Sequence, residues 1–600
     1  MFSYQPSRLS RNSARQIYFN GSHKSKRTLG SGLIRSPAIV RSKENISNVS
    51  IAPNSDSKTV LLPLVFTVAL AALAILSPIR QNPRLTWVFL GTAVLLGAWN
   101  AALKAVAIRG KRTFTIDVML RKQHYLQACA QGSVLLYWGW YWPPVYAMAP
   151  LILAQLLFAY AFDMLLCWSR RDSYTLGFGP FPVIFSMNLF LWFKPDWFYL
   201  QFAMVALGMA AKELIRWNKD GRRSHIFNPS SFPLAVFSLG LIITGASGIT
   251  WGKEIASTQF YPPHMYVFIF LIGLPGQLFF GVTTMTMSAV IATYAFNLAY
   301  FAATGVYFFY DSYIPIAVFL GMHLLFTDPS TSPRTESGRV IFGVLYGLST
   351  VALYELLGSA GMPTFYDKLL QVPLMNLSIK AIDRFARSRW LRFFDLAALG
   401  RSWPPRRRNL ALMTVWSIVF VGLCAANGLT DGHPGQWLPF WRQACEDGRR
   451  YACPYLADLE SSFCERGSGW ACNETGLMHI ALARSGEDLR RLDPAGAAVP
   501  FGRGCDLGHM TACENLQTLS TGVGKYASVP PLLDDYPIIL RGSKGEIRER
   551  DPSALVALAC REGWLNVCGR TEENRRSIRS EDRPSWTGGA ARSAEVVVRD

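Results

Sequence analysis

Charge is scarce in this sequence: 17% of its residues are Asp, Glu, Lys or Arg, while half are hydrophobic, where a soluble domain carries about 25%. Acid is the scarcer sign, and residues 1–43 hold nine Lys or Arg and no Asp or Glu. No G-x-G-x-x-G occurs, so the phosphate-cradling turn of a Rossmann dinucleotide site is not encoded. The eleven cysteines include no C-x-x-C pair, which removes the usual zinc knuckle, the C-x-x-C-H haem attachment signal and iron–sulfur spacing. The net charge of +20 comes with no recognisable nucleic-acid-binding fold, and nucleic acid is not expected as a partner.

What is present is apolar sequence in blocks. Between Lys58 and about Gly358 the chain is a succession of runs of roughly 17 to 22 residues, each long enough to cross about 30 Å of hydrocarbon. They centre near 60–78, 86–107, 125–141, 146–168, 180–193, 197–215, 230–248, 265–280, 284–304, 313–327, 340–357 and 410–428, with a weaker one at 365–382. Basic residues crowd into alternate connections: the N-terminus, Arg109 to Lys122, Arg170-Arg171, Arg216 to Arg223 and Arg384 to Arg408. Gly245 to His264 and Phe308 to Ser312 carry little charge. That alternation is the positive-inside pattern. The expected fold is therefore an all-α polytopic membrane protein of about 11–13 transmembrane helices, an odd number, with a cytoplasmic N-terminus. Residues 1–58 read as a disordered basic cytoplasmic tail of a bacterial inner-membrane protein; a mitochondrial transit peptide is the competing reading. Residues 59–385 form the membrane domain, 386–408 a basic cytoplasmic linker and 409–429 an extra transmembrane helix.

The last 170 residues are polar, rich in Gly and Arg, and contain eight of the cysteines. Four units recur, Cys445 to Cys453, Cys464 to Cys472, Cys505 to Cys513 and Cys560 to Cys568, each C-x-x-G-x-x-x-[AV]-C. On one straight helix two such cysteines would stand about 12 Å apart, beyond disulfide reach. A glycine three residues after the first cysteine is suited to a left-handed helix cap, so each unit reads as helix end, turn and helix start. Four disulfides stapling helical hairpins are expected over 430–570, with zinc the competing reading and 571–600 a disordered tail. Disulfides need an oxidising compartment, which agrees with a C-terminus brought outside by an odd number of crossings. The units resemble cysteine-rich Sel-like repeats, related to tetratricopeptide repeats, and the resemblance implies a module that binds a protein partner.

Inside the apolar domain two polar motifs match: Asn228-Pro229-Ser230-Ser231-Phe232-Pro233 and Asp328-Pro329-Ser330-Thr331-Ser332-Pro333, both [ND]-P-S-[ST]-x-P and 100 residues apart. Asn or Asp before Pro opens a helix, the side chain capping N–H groups and Pro taking the first helical position. Uncapped N–H groups and the positive dipole end would make each opening an anion site. The pair predicts an internal pseudo-repeat with a ligand between its halves; two ordinary helix starts is the plainer alternative. Between them lies Gly281-Val282-Thr283-Thr284-Met285-Thr286, whose hydroxyls either meet a phosphate or bond back to their own helix.

HIFNPSSFPLAV (225–236), GVTTMT (281–286), LLFTDPSTSP (324–333) and VPLMNLSIKAIDR (372–384) resemble, in order over residues 60 to 385, the NqrB/RnfD family. These are the membrane flavin subunits of sodium-pumping NADH:quinone reductase and of Rnf electron-transport complexes. The resemblance implies FMN, a second flavin in some members, partner redox subunits, quinone, and electron transfer coupled to ion transport. In the family FMN is joined through its phosphate to a threonine of an S-G-A-T-x-L type motif; by position this is Thr283. Phe280 and Val282 replace the serine and alanine of that motif, which counts against covalent attachment and leaves noncovalent FMN. The implied cofactor residues are Gly281, Thr283, Thr284, Asn228, Pro229, Ser230, Asp328, Ser330 and Thr331.

Ionisable residues in apolar runs mark ion or proton paths. His323 and Asp163 are the candidates, against the plainer readings of a bonded core histidine and a span-end carboxylate; Lys212, Glu213 and Glu355 lie near span ends. Arg170 and Arg171 either grip a phosphate or headgroup or simply fix topology. Three functions stay open: a membrane redox subunit that is not an enzyme by itself, a cofactor-free transporter or channel of the same duplicated fold, and an anchor for an extracytoplasmic interaction module.

Overall fold

The computed structural model describes residues 61–219, 221–388, 403–426, 428–431, 433–485, 494–540 and 557–560. The expected tails, 1–58 and 571–600, lie outside the described residues, as does Cys568. The longer helices run, in order, α1 Leu62–Ala72, α2 Pro83–Gly110, α3 Lys122–Tyr141, α4 Ala149–Arg170, α5 Pro180–Asn188, α6 Phe198–Leu214, α7 Ser231–Thr244, α8 Met265–Phe280, α9 Thr283–Thr304 and α10 Ile316–Leu320. The last continues as a π-helix, Gly321–Leu325, and is followed by α11 Glu336–Ser359, α12 Gln371–Ala386 and α13 Pro405–Ala425. Among the described residues five helices, α2, α4, α9, α11 and α13, are long and apolar enough to cross a membrane, and α1, α7, α8 and α10 are shorter apolar helices. Apolar side chains such as Val94, Leu95, Ile243, Leu374 and Ile418 are exposed on the bundle surface, a face that water would not support and lipid would. α4 lies at the centre, 72% buried over its most apolar window, and α13 at the rim with 11%.

Two features correct the all-α expectation. Strand β1, Thr115–Val118, pairs in parallel with β2, Ser173–Leu176, and β3, Arg216–Lys219, forms a hairpin with β4, Arg222–His225. All four strands lie in the basic connections, where segments of extended backbone find each other's N–H and C=O groups. The 386–408 linker is also shorter than expected: Arg406, Arg407 and Arg408 belong to the first turn of α13, which Pro405 opens in a position that needs no donor.

Helix contacts inside the bundle depend on small residues, as in membrane helix pairs. α9 and α11 pack so closely that a Cβ on Gly343 would stand 2.2 Å from the Met285 carbonyl and one on Gly347 2.7 Å from that of Ala289.

The C-terminal region folds as predicted from its spacing. α14 Leu438–Glu446, α15 Ala452–Glu465, α16 Gly469–Ser485, α17 Ala498–Asp506 and α18 Met510–Thr521 are joined by turns in which Gly448, Gly467 and Gly508 take positive φ. Cys445–Cys453, Cys464–Cys472 and Cys505–Cys513 are disulfides with Cα atoms 4.7, 4.5 and 4.7 Å apart; Cys560 is likewise disulfide-bonded. This region packs on the far end of α9: Val306 and Tyr307 share a core with Trp441, Phe463 and Trp470. Tyr455 Oη donates to the Phe308 carbonyl, Gln436 to that of Asp311, and the His264 N–H to Asp431.

Candidate functional site

The two proline motifs, the threonine turn and α12 meet at the opposite end of α9, which at 22 residues is about 33 Å long. Asn228 is the hub. Its Oδ1 accepts from the Ser230 N–H at 3.0 Å, the Ser230 hydroxyl at 2.8 Å and the Ser231 N–H at 3.3 Å. Its Nδ2 donates to the Leu325 carbonyl at 2.9 Å, and its own N–H donates to Asn376 Oδ1 at 3.1 Å. Asn376 Nδ2 reaches the Thr331 carbonyl at 3.3 Å, so one amide ties both motifs together. Pro229 is held by Gly208 of α6, where a Cβ would stand 2.4 Å from the Pro229 carbonyl.

Asp328 caps its own turn, Oδ1 accepting from the Ser330 N–H at 3.0 Å and Oδ2 from the Thr331 hydroxyl at 3.3 Å. Oδ2 also lies 3.2 Å from His225 Nε2. Burial by itself would raise the Asp328 carboxyl, but the bond and charge of His225, with the Ser330 N–H, outweigh it and hold the group below its ordinary range. After Asp328 there is only a 3-10 turn, Pro329–Thr331. The next helix, α11, is opened instead by Thr335, whose hydroxyl accepts from the Gly338 N–H, and by Asp383 of α12, which accepts from the N–H groups of Arg334 and Thr335. At the two openings the N–H groups of Ser230, Ser231 and Ser330 are thus engaged by the first side chain of each motif, and that of Thr331 by the Asp328 carbonyl.

The threonine turn is fixed by charge. Gly281 ends α8 at φ 63°, and its carbonyl accepts from Arg339 Nη1 at 2.6 Å. Thr284 Oγ1 donates to Glu336 Oε2 at 2.9 Å, and Glu336 Oε1 pairs with Arg339 at 2.8 Å and Arg408 at 3.7 Å. Thr283 Oγ1 and Thr286 Oγ1 are buried and have no hydrogen-bond partner in the protein.

His323 sits in the π-helix, a form that concentrates at functional positions. Its Nδ1 meets the Phe319 carbonyl at 2.8 Å; a carbonyl only accepts, so Nδ1 carries a proton. Nε2, both amide atoms of Gln277 and Oε1 of Gln131 are buried without a protein partner. His323, Gln277, Gln127 and Thr327 line a cavity of about 20 Å³, the size of one water. The backbone loosened by the π-turn is repaired from outside: Gln127 and Gln131 both donate to the Leu324 carbonyl at 3.3 Å.

Asp163 stands apart: its Oδ2 is paired to Lys212 Nζ at 3.1 Å and bonded by Tyr174 Oη at 3.3 Å, while its Oδ1 is buried without a hydrogen-bond partner in the protein. Residues that carry the site and were not singled out from sequence are Asn376, Glu336, Asp383, Gln131 and Gln277. Their signal was available: each is a polar side chain within or next to an apolar run, where an unpaired group is costly.

An FMN phosphate would find chemically suited groups in Thr283, an orphaned hydroxyl, and in the guanidinium of Arg339, whose Nη1 already bonds the Gly281 carbonyl and Glu336. A flavin ring would not fit the 20 Å³ cavity beside His323. No family model matches the sequence, and neither a curated protein nor a solved structure matches it.

Proposed function

We propose that the chain is the membrane-embedded subunit of an electron-transport assembly, similar to NqrB/RnfD proteins, rather than a self-sufficient enzyme. One observation carries this reading: the four stretches that bear the resemblance, spread over 160 residues of sequence, are joined at one place by Asn228–Asn376 and Asn376–Thr331 hydrogen bonds and by Arg339, which donates to both the Gly281 and the Pro333 carbonyls. Thr283 and Arg339 would hold the phosphate of a noncovalent FMN, which when bound supplies one- and two-electron transfer. Quinone and partner redox subunits would be the electron donors and acceptors.

In this reading the chain crosses a bacterial inner membrane an odd number of times, the proline motifs form pseudo-repeated halves, and the stapled domain faces the oxidising side, where it docks a protein partner. The disulfides support that orientation, as does the packing of the domain on Val306 to Asp311, remote from the basic loops. A second reading, a cofactor-free transporter-like protein, is favoured by the self-capped helix openings and the unpartnered Gln277 and His323 atoms. Purification from a flavin-replete host separates the two. The redox reading expects flavin absorbance that is extractable with acid and lost in Thr283→Val or Arg339→Leu; colourless wild-type protein overturns it.

A further inference from the structure

The cytoplasm-type basic loops do more than carry charge at one place. Ser169, Arg170, Arg171, Glu213, Arg216 and Arg223 line a cleft of about 450 Å³ where the last turns of α4 and α6 meet strands β3 and β4. Glu213, with a side chain 7% exposed, accepts from Arg171 Nη2 at 3.2 Å and Arg216 Nη2 at 2.5 Å. Those two guanidiniums are also fixed through Nε, Arg171 to the Ser173 carbonyl and Arg216 to that of Lys212, both at 3.0 Å. Arg170 and Arg223 are exposed and have no ion pair among the described residues. Four guanidiniums against one carboxylate leave three positive charges around the cleft.

A topology signal needs only charge on the correct side. It does not need a buried carboxylate that clamps two guanidiniums by fixed bonds while leaving two others free at the rim. Preoriented guanidinium forks match the oxygens of a phosphate. We propose that this cleft binds a phosphate group, of an anionic lipid headgroup or of a soluble phosphate compound. The lipid source is favoured by Leu214 and Ile215, exposed apolar residues between Glu213 and Arg216, which put the cleft where the apolar surface gives way to charge. The site is independent of any flavin, and its failure leaves the redox reading untouched.

The test uses the full chain, wild type and R170A/R223A, purified in neutral detergent and given phosphatidylglycerol, phosphatidylcholine or inorganic phosphate. Native mass spectrometry reads retained lipid, and thermal unfolding reads phosphate. The expected result is selective retention of phosphatidylglycerol, weakened by about thirtyfold in the double variant, the effect of two headgroup-level arginines. Stabilisation of wild type by millimolar phosphate without selective lipid retention, absent in the variant, assigns the cleft to a soluble phosphate. Retention equal to that of phosphatidylcholine, or equal in wild type and variant, with no phosphate stabilisation, overturns the proposal. If the double variant does not fold, the single exposed change R170E is used, and undiminished binding in it likewise overturns the proposal.

Discussion

The two proline turns start alike, each first side chain accepting the N–H two residues on at 3.0 Å. They then build different things. Asn228 is neutral, 4% exposed, and opens a 14-residue helix. Asp328 is charged, half-buried, paired with His225, and opens three residues of 3-10 turn before the chain straightens. A shared pattern of residue types therefore specifies the capped turn, and the surroundings decide whether a helix or an extended segment grows out of it. Where the turn is sealed inside the bundle a neutral amide can both accept and donate, satisfying the Leu325 carbonyl as well as its own N–H groups. A carboxylate accepts only, so its place is nearer water with a histidine beside it.

The largest effect expected from breaking this difference is at Asn228. Asn228→Ala leaves two N–H groups and the Leu325 carbonyl without partners in apolar surroundings, a loss of about 3 to 5 kcal/mol, read as thermal unfolding of the detergent-solubilised protein. A midpoint unchanged from wild type would mean that the turn is held by its backbone. Asn376→Leu removes the tie between the turns while leaving each cap intact, and about 2 to 3 kcal/mol is expected. Combined with Asn228→Ala it should cost less than the sum, because the two share one network.

The smallest effect belongs to Asp328→Asn, which keeps the cap and removes the charge, at about 1 kcal/mol. Its signature is in pH. The folded Asp328 carboxyl lies below its ordinary value of 3.8, so its contribution is complete above about pH 4 and disappears as pH falls through the folded value. Wild type should lose its advantage over Asp328→Asn in that acidic window, and two parallel profiles would show that the charge is not what His225 recognises.

Much of this was legible in residue types. The apolar runs located the helices, because length and hydrophobicity are all that a bilayer-spanning helix must satisfy. The C-x-x-G spacing located three staples with their left-handed glycines at 448, 467 and 508, because both constraints are local. The strands at 115–118 and 173–176 were not legible: each is four residues long, and their pairing depends on α3 and α4 bringing distant segments together. Nor was the role of Asn376, whose partners lie 148 and 45 residues away. The anion-site expectation for Asn228 and Asp328 rested on free N–H groups, and the caps that occupy them come from the motif residues themselves. Sequence recognised the cap without ranking it above the ligand.

The seating of the stapled domain on Val306 and Tyr307 also has a meaning for synthesis. Ribosomes finish α9 and its far loop long before they reach Trp441, Phe463 and Trp470, which cover them. In the interval Tyr300, Phe301 and Tyr307 wait uncovered. A chain whose C-terminal region has not yet docked therefore presents a sticky aromatic rim at the end of α9.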